Sequence, residues 1–196
     1  MKKFLIYLFT FITIFLVSII IIPLLKSSNN QNQKQELYFT YNNISMKIQS
    51  PEFENGVDIP PRFTCDGENI NPSLNFLDIP ENTKSFTLIV EDHDVPKNIR
   101  ADGLWDHWII WNIPKEVTSL PENYKEQGMM GKNSGGEYGY SGPCPPDSEH
   151  RYYFKLYALD TMLELNQYAT KEELLNAMHG HILDQAELIG KYKRQF

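Results

Sequence analysis

The chain has 196 residues, 41% of them hydrophobic, with 18 basic and 25 acidic side chains and a formal net charge of −7. That length supports one good hydrophobic core and is short for two. The first 45 residues carry Lys2, Lys3, Lys26 and Lys34 against Glu36, which leaves −10 for residues 46–196; this balance speaks against nucleic-acid binding and against a broad basic face for anionic lipid.

Phe4 to Leu25 is a 22-residue run without a charged side chain. As a helix it would be about 33 Å long, enough to cross a hydrocarbon core of roughly 30 Å. No cleavage site of the A-x-A type is evident, and no cysteine follows that could take a lipid. Residues 1–26 are therefore expected to be an uncleaved transmembrane anchor, with a cleaved signal segment as the alternative. Lys2 and Lys3 put the N-terminus in the cytoplasm and the rest outside it. Cleavage would instead give a secreted protein. Residues 27–45, which open with SSNNQNQKQ, are polar and read as a flexible tether.

From residue 46 to 196 the pattern is mainly β. Met46–Ser50 alternates and predicts a first strand, and Pro60-Pro61 breaks the chain. Ser73–Phe76 is short and β-like. Ser85–Glu91 (SFTLIVE) is apolar and β-branched, and predicts a strand. Trp105–Ile113 (WDHWIIWNI) predicts another, rich enough in large residues to be buried on both faces. Arg151–Leu159 predicts a third, with Tyr153, Lys155 and Tyr157 opposite Tyr152, Phe154, Leu156 and Ala158. Thr170 to Glu173 has the form of a capping box, opening a helix to about Met178. Ala186–Tyr192 alternates and predicts a closing strand. Pro114–Glu149 is a long glycine- and proline-rich stretch, and such loops inside a compact domain usually carry function.

Three clusters carry candidate chemistry. Asp92 and Asp94, at the end of the Ser85–Glu91 strand, fall on one side by alternation, with His93 opposite. Two close carboxylates raise each other's pKa and suit proton sharing, though an acidic turn before Pro96 explains them as simply. His107 lies between tryptophans, a setting that more often holds a core histidine than a ligand. Gly142-Pro143-Cys144-Pro145-Pro146 is stiff and can offer backbone amides to an anion, or form only a rigid turn. Cys65 and Cys144 fit no zinc or redox spacing. They read either as two small buried residues or as a disulfide, which requires an oxidising compartment.

In order, the chain shows Phe63-Thr64-Cys65-Asp66-Gly67-Glu68-Asn69-Ile70-Asn71-Pro72, a DxDxP at 92–96, Trp105-x-His107 running into Asn112-Ile113-Pro114, GPCPP at 142–146, HRYYFKLYALD at 150–160 and Gly180-His181-Ile182-Leu183. This series resembles the bacterial and archaeal branch of the phosphatidylethanolamine-binding protein family, also called Raf kinase inhibitor-like proteins, from about Met46 to Arg194. The resemblance implies a large antiparallel sheet packed on a smaller one, with one or two peripheral helices. It implies a pocket built from Asp92, Asp94, His107 and His150, lined by Tyr152 and rimmed by Gly142, Pro145 and Pro146. The family motif usually reads DPDAP; here His93 and Val95 stand in place of its first proline and its alanine. The resemblance also implies that a Cys65–Cys144 disulfide would tie the rim to the Cys-Asp-Gly segment.

The ligand expected from it is a phosphate- or acetate-like anion or a phospholipid headgroup, with no cofactor and no metal. Inhibition or regulation of a protease or kinase is an alternative, through a protein partner left open. A metal-assisted hydrolase is a third reading. The sequence gives that reading little support, since it has no H-x-x-x-H pair and no nucleophile with a positioned base. The expectation is a binding protein rather than an enzyme.

Overall fold

The computed structural model of the chain describes residues 45–125 and 128–195. The expected anchor at residues 4–25, and nearly all of the 27–45 tether, lie outside the described residues. Among the described residues, no helix is long and apolar enough to cross a membrane.

Among the described residues, nine strands form two sheets. Strands β1 (Lys47–Gln49), β3 (Leu74–Leu77) and β6 (Ser119–Leu120) make a three-stranded sheet in the order β1-β3-β6. The larger sheet has the order β2-β9-β8-β4-β5-β7, from β2 (Val57–Asp58), β4 (Ser85–Asp92), β5 (Trp105–Pro114), β7 (Met129–Met130), β8 (His150–Leu159) and β9 (Ile182–Tyr192). The expected antiparallel pairing holds except at one edge, where β2 lies parallel to β9. Gly56 donates its amide to the Ile189 carbonyl there and brings the chain in alongside β9.

The central strands are apolar on both sides because both faces of the large sheet are covered. Phe86, Leu88, Val90, Trp108, Ile110, Phe154 and Leu156 face Ile48, Leu74 and Phe76 of the small sheet in the main core. Ile89, Ile109 and Trp111 point the other way, into a second core with Leu163, Leu174 and Met178. Leu174 and Met178 belong to helix α1 (Lys171–Met178), which begins in the expected capping box: the Glu173 amide bonds the Thr170 side chain and the Thr170 amide bonds the Glu173 carboxylate.

Helix α1 is also pinned by charge. Lys171 forms ion pairs with Glu91 and Asp106, and Lys155 reaches the same Glu91 at 2.6 Å. Burial would raise the Glu91 pKa, but its bonds to Lys155, Lys171 and His93 prevail and bring it down to about 2.

Candidate functional site

Strand β4 is antiparallel to both neighbours, so its last residue lies beside the first residues of β5 and β8. Asp92 is opposite Trp105 on one side and Tyr152 on the other. Between β4 and β5 the register passes from Val90–Trp108 to Glu91–Asp106 and leaves His107 without a partner. This bulge lets His107 leave the ladder at the strand end. The long loop then docks on it: the Ser141 amide donates to the His107 carbonyl at 2.9 Å, and His107 Nδ1 donates to the Ser141 carbonyl at 2.6 Å.

The two histidines are prepared differently. His150 Nδ1 donates to Asp92 Oδ2 at 2.7 Å and Nε2 donates to Asp147 Oδ1 at 3.0 Å, so the ring is held as an imidazolium. Burial acts to lower its pKa, but the two carboxylates outweigh that and raise it above the usual histidine value. For His107, burial dominates and lowers the pKa, against the Ser141 carbonyl and Asp92. His107 is therefore neutral near pH 7, with the proton on Nδ1 and a lone pair on Nε2. No described residue bonds that Nε2. The Tyr152 ring stands edge-on to His107 at 5.1 Å. Its hydroxyl is buried without a hydrogen bond of standard geometry, and burial followed by Asp92 raises its pKa, so it stays protonated.

The rim is tied to residues 63–69 by four links. The Gly142 amide donates to Asn69 Oδ1 at 2.7 Å, Tyr140 Oη donates to the Phe63 carbonyl at 2.9 Å, and the Cys65 amide donates to the Pro143 carbonyl at 3.1 Å. The fourth link is the Cys65–Cys144 disulfide, with S–S 2.10 Å. Glycine is required at 142 because a Cβ there would lie 2.5 Å from the Phe63 carbonyl oxygen and 2.7 Å from Asn69 Oδ1.

These elements enclose a cavity of about 240 Å³. Asp92, His107, Gly142, Pro146 and His150 line it, together with Val95, Ile99, Trp105, Ser141 and Cys144. Three expected residues stand apart from that lining. Pro145 is buried within the loop and Tyr152 lies buried against His107. Asp94 is turned away: Asp92 Oδ1 accepts its amide at 2.8 Å, which ends the strand alternation, and its carboxylate receives the Arg151 guanidinium at 2.6 and 2.8 Å. Arg151 also holds the Asp94 pKa below the usual range, so the two aspartates do not form a proton-sharing pair. Among the described residues, no group of three or more His, Cys, Asp or Glu is placed to hold a metal ion.

Residues 49–193 match the model of the phosphatidylethanolamine-binding protein family. This chain belongs to that family. It is 50% identical over 149 residues to a UPF0098 protein of Chlamydia muridarum, covering 76% of this chain and 99% of the relative. It is 46% identical over 155 residues to a UPF0098 protein of the archaeon Methanothermobacter thermautotrophicus, with the same coverage of each. The crystal structure of a phosphatidylethanolamine-binding protein homolog from Chlamydia trachomatis superposes with a TM-score of 0.76 at 47% identity, covering 78% of this chain and 99% of that one. Escherichia coli YbcL, described as a member of the mammalian family, gives 0.69 at 29% identity over 77% of this chain and 99% of its own.

Within the family fold, the sequence reading missed Val95, Ile99, Trp105 and Ser141 in the lining, and also Asp147 and Asn69, which hold His150 and Gly142. The spacing of Asp147 three residues before His150 was a readable signal. The apolar lining residues carry no chemical signature in sequence.

Proposed function

We propose that this chain is a binding protein for a small phosphoryl or carboxylate anion, taken into the cavity of about 240 Å³ with His107 as its first contact. The observation that carries this reading is the state of His107. It is buried and oriented by Ser141, with the Tyr152 ring edge-on to it at 5.1 Å, and it presents an Nε2 lone pair that no described residue bonds. An anion that still holds one proton, such as a phosphate monoester monoanion, can donate that proton to Nε2. The pair is then equivalent to imidazolium and dianion. A carboxylate holds no such proton, and its binding draws one from solvent onto Nε2 instead. A domain of charge −10 gives such a ligand no long-range attraction, so the affinity rests on this local proton. Ethanolamine phosphate, the headgroup type in the family's name, fits the same description.

The reading is of binding without turnover. His107 Nδ1 bonds the Ser141 carbonyl and not its hydroxyl, so no serine–histidine pair is formed there. The disulfide supports an oxidising, extracytoplasmic setting, with residues 1–26 as the anchor. Calorimetric titration with phosphate, acetate and phosphoethanolamine at pH 5 to 8 tests the binding. Affinity is expected to rise as pH falls and to lose that dependence in His107→Gln. Affinity that is flat with pH, or phosphatase or esterase turnover, would overturn the reading.

A further inference from the structure

One end of the large sheet holds the cavity, and the strand register fixes what stands at the other. Asp92 closes β4 beside Trp105 and Tyr152. Ser85 opens it opposite Pro114 and Leu159, and Leu159 in turn faces Ile182 of β9. Strand β8 runs between the two ends, from His150 to Leu159, a span of about 30 Å at the usual rise per residue. At the remote end Leu77, Met162, Ile182 and Leu183 are 39–49% exposed. Leu77 lies opposite Lys47 in the small sheet, and Met162 follows Thr161, whose carbonyl accepts the Ser85 hydroxyl. A scattered surface leucine needs no explanation, but four large apolar side chains gathered at one end of a fold mark a contact surface. The acids among them are engaged locally. Lys47 holds Asp78 at 2.6 Å, His181 holds Asp160 at 2.8 Å, and Asp184 Oδ2 accepts the Met46 amide at 2.7 Å.

What meets this surface is indicated by where the chain joins the domain. Ser45 and Met46 both bond Asp184, the neighbour of Leu183. Nineteen residues, 26–44, separate Ser45 from the charge-free run Phe4–Leu25. A flexible chain of that length averages about 24 Å from end to end. This is less than the length of β8, so the Ser45 end stays closer to an anchoring bilayer than the cavity does. We propose that the end of the domain bearing Leu77, Met162, Ile182 and Leu183 rests on the lipid surface to which the chain is anchored, and that the cavity is thereby held away from that surface. This rests on the reading of residues 1–26 as an anchor and extends it from attachment to orientation. The tether keeps the apolar end at an effective concentration on the order of millimolar, so a contact too weak to hold a free domain is populated. With a charge of −10 on the domain, the contact is apolar and not electrostatic, and neutral lipid serves.

The test uses the full chain reconstituted in phosphatidylcholine vesicles, with part of the lipid carrying a nitroxide on its headgroup. Cys65 and Cys144 are bonded to each other, so a thiol introduced by Leu183→Cys is the one that takes a thiol-reactive, environment-sensitive dye. Lys97→Cys, at an exposed position five residues past Asp92, gives the comparison at the cavity end. Dye at 183 is expected to shift to the blue and to be quenched by the nitroxide, and dye at 97 to show neither effect. Adding Met162→Asn and Ile182→Asn to Leu183→Cys should abolish the quenching. Equal signals at the two positions, or quenching at 183 that persists after those two replacements, would overturn the inference while leaving the anchor intact. Release of the chain from the vesicles by alkaline carbonate would overturn the anchor reading itself and this inference with it.

Discussion

The Asp92 carboxylate accepts from His150 Nδ1 at 2.7 Å, and both side chains are almost wholly shielded from solvent, at 5% and 1% exposure. Asp92 Oδ1 is spent on the Asp94 amide, so one carboxylate both turns the chain and fixes the imidazolium. Replacing it with asparagine leaves His150 without its buried counter-charge. Asp92→Asn is expected to cost about 3 kcal/mol of folding stability, the usual result of removing one partner of a buried pair. It should also lower the His150 pKa. Denaturant melts and histidine NMR titration check the two effects separately.

The two histidines give opposite pH linkages. His150 has a raised pKa, so its stabilisation is complete below the unfolded value near 6.5 and is lost as pH rises through its folded value. His107 has a lowered pKa, so its contribution is present above about 6.5 and is lost as pH falls. Thermal stability should therefore fall off on both sides of the region near pH 6.5. His107→Gln should flatten the acid side alone, measured as Tm against pH.

How much of this was legible in sequence differs by element. Strands β4, β5 and β8 were readable because both faces of the large sheet are buried, which writes long apolar and β-branched runs into the chain. The two-residue strands β2, β6 and β7 were not, since no period can be read from two residues. The capping box located helix α1 because its chemistry is local. Asp94 failed for the opposite reason. Alternation predicts its side only while the strand continues, and the Asp92 side chain ends the strand by bonding the Asp94 amide. Val95 and Ile99 reach the cavity lining from a loop whose course depends on bonds among Pro96, Arg100 and Asp102, and single-residue chemistry does not show it.

The disulfide closes a loop with a sequence separation of 79 residues. Chain-entropy arguments give about 4 kcal/mol for a loop of that size. Replacing Cys65 and Cys144 together with serine should lower Tm by roughly 10 °C in a domain of this length. The three hydrogen bonds between the rim and residues 63–69 remain in that variant, so phosphate affinity measured well below the new Tm should change little. An unaltered Tm would show that the covalent tie contributes nothing beyond those bonds.

Gly142→Ala separates rim position from overall stability. The added Cβ would meet the Phe63 carbonyl oxygen, Asn69 Oδ1 and the Thr64 Cα within 2.9 Å, and two of the three are backbone atoms. The rim has to move, since residues 63–69 are also held by Asp66 pairing with Arg194 and accepting from Tyr192 Oη at 2.8 Å. The cost is expected at about 1–3 kcal/mol, as for other overpacked sites. Because Ser141, one residue before Gly142, orients His107 through its carbonyl, the displacement should also free the ring. The expected signature is a His107 pKa that moves back toward the ordinary histidine value as its burial is relieved, with a weaker pH dependence of phosphate binding. A variant that loses stability but keeps wild-type His107 titration would show that the rim does not set the histidine.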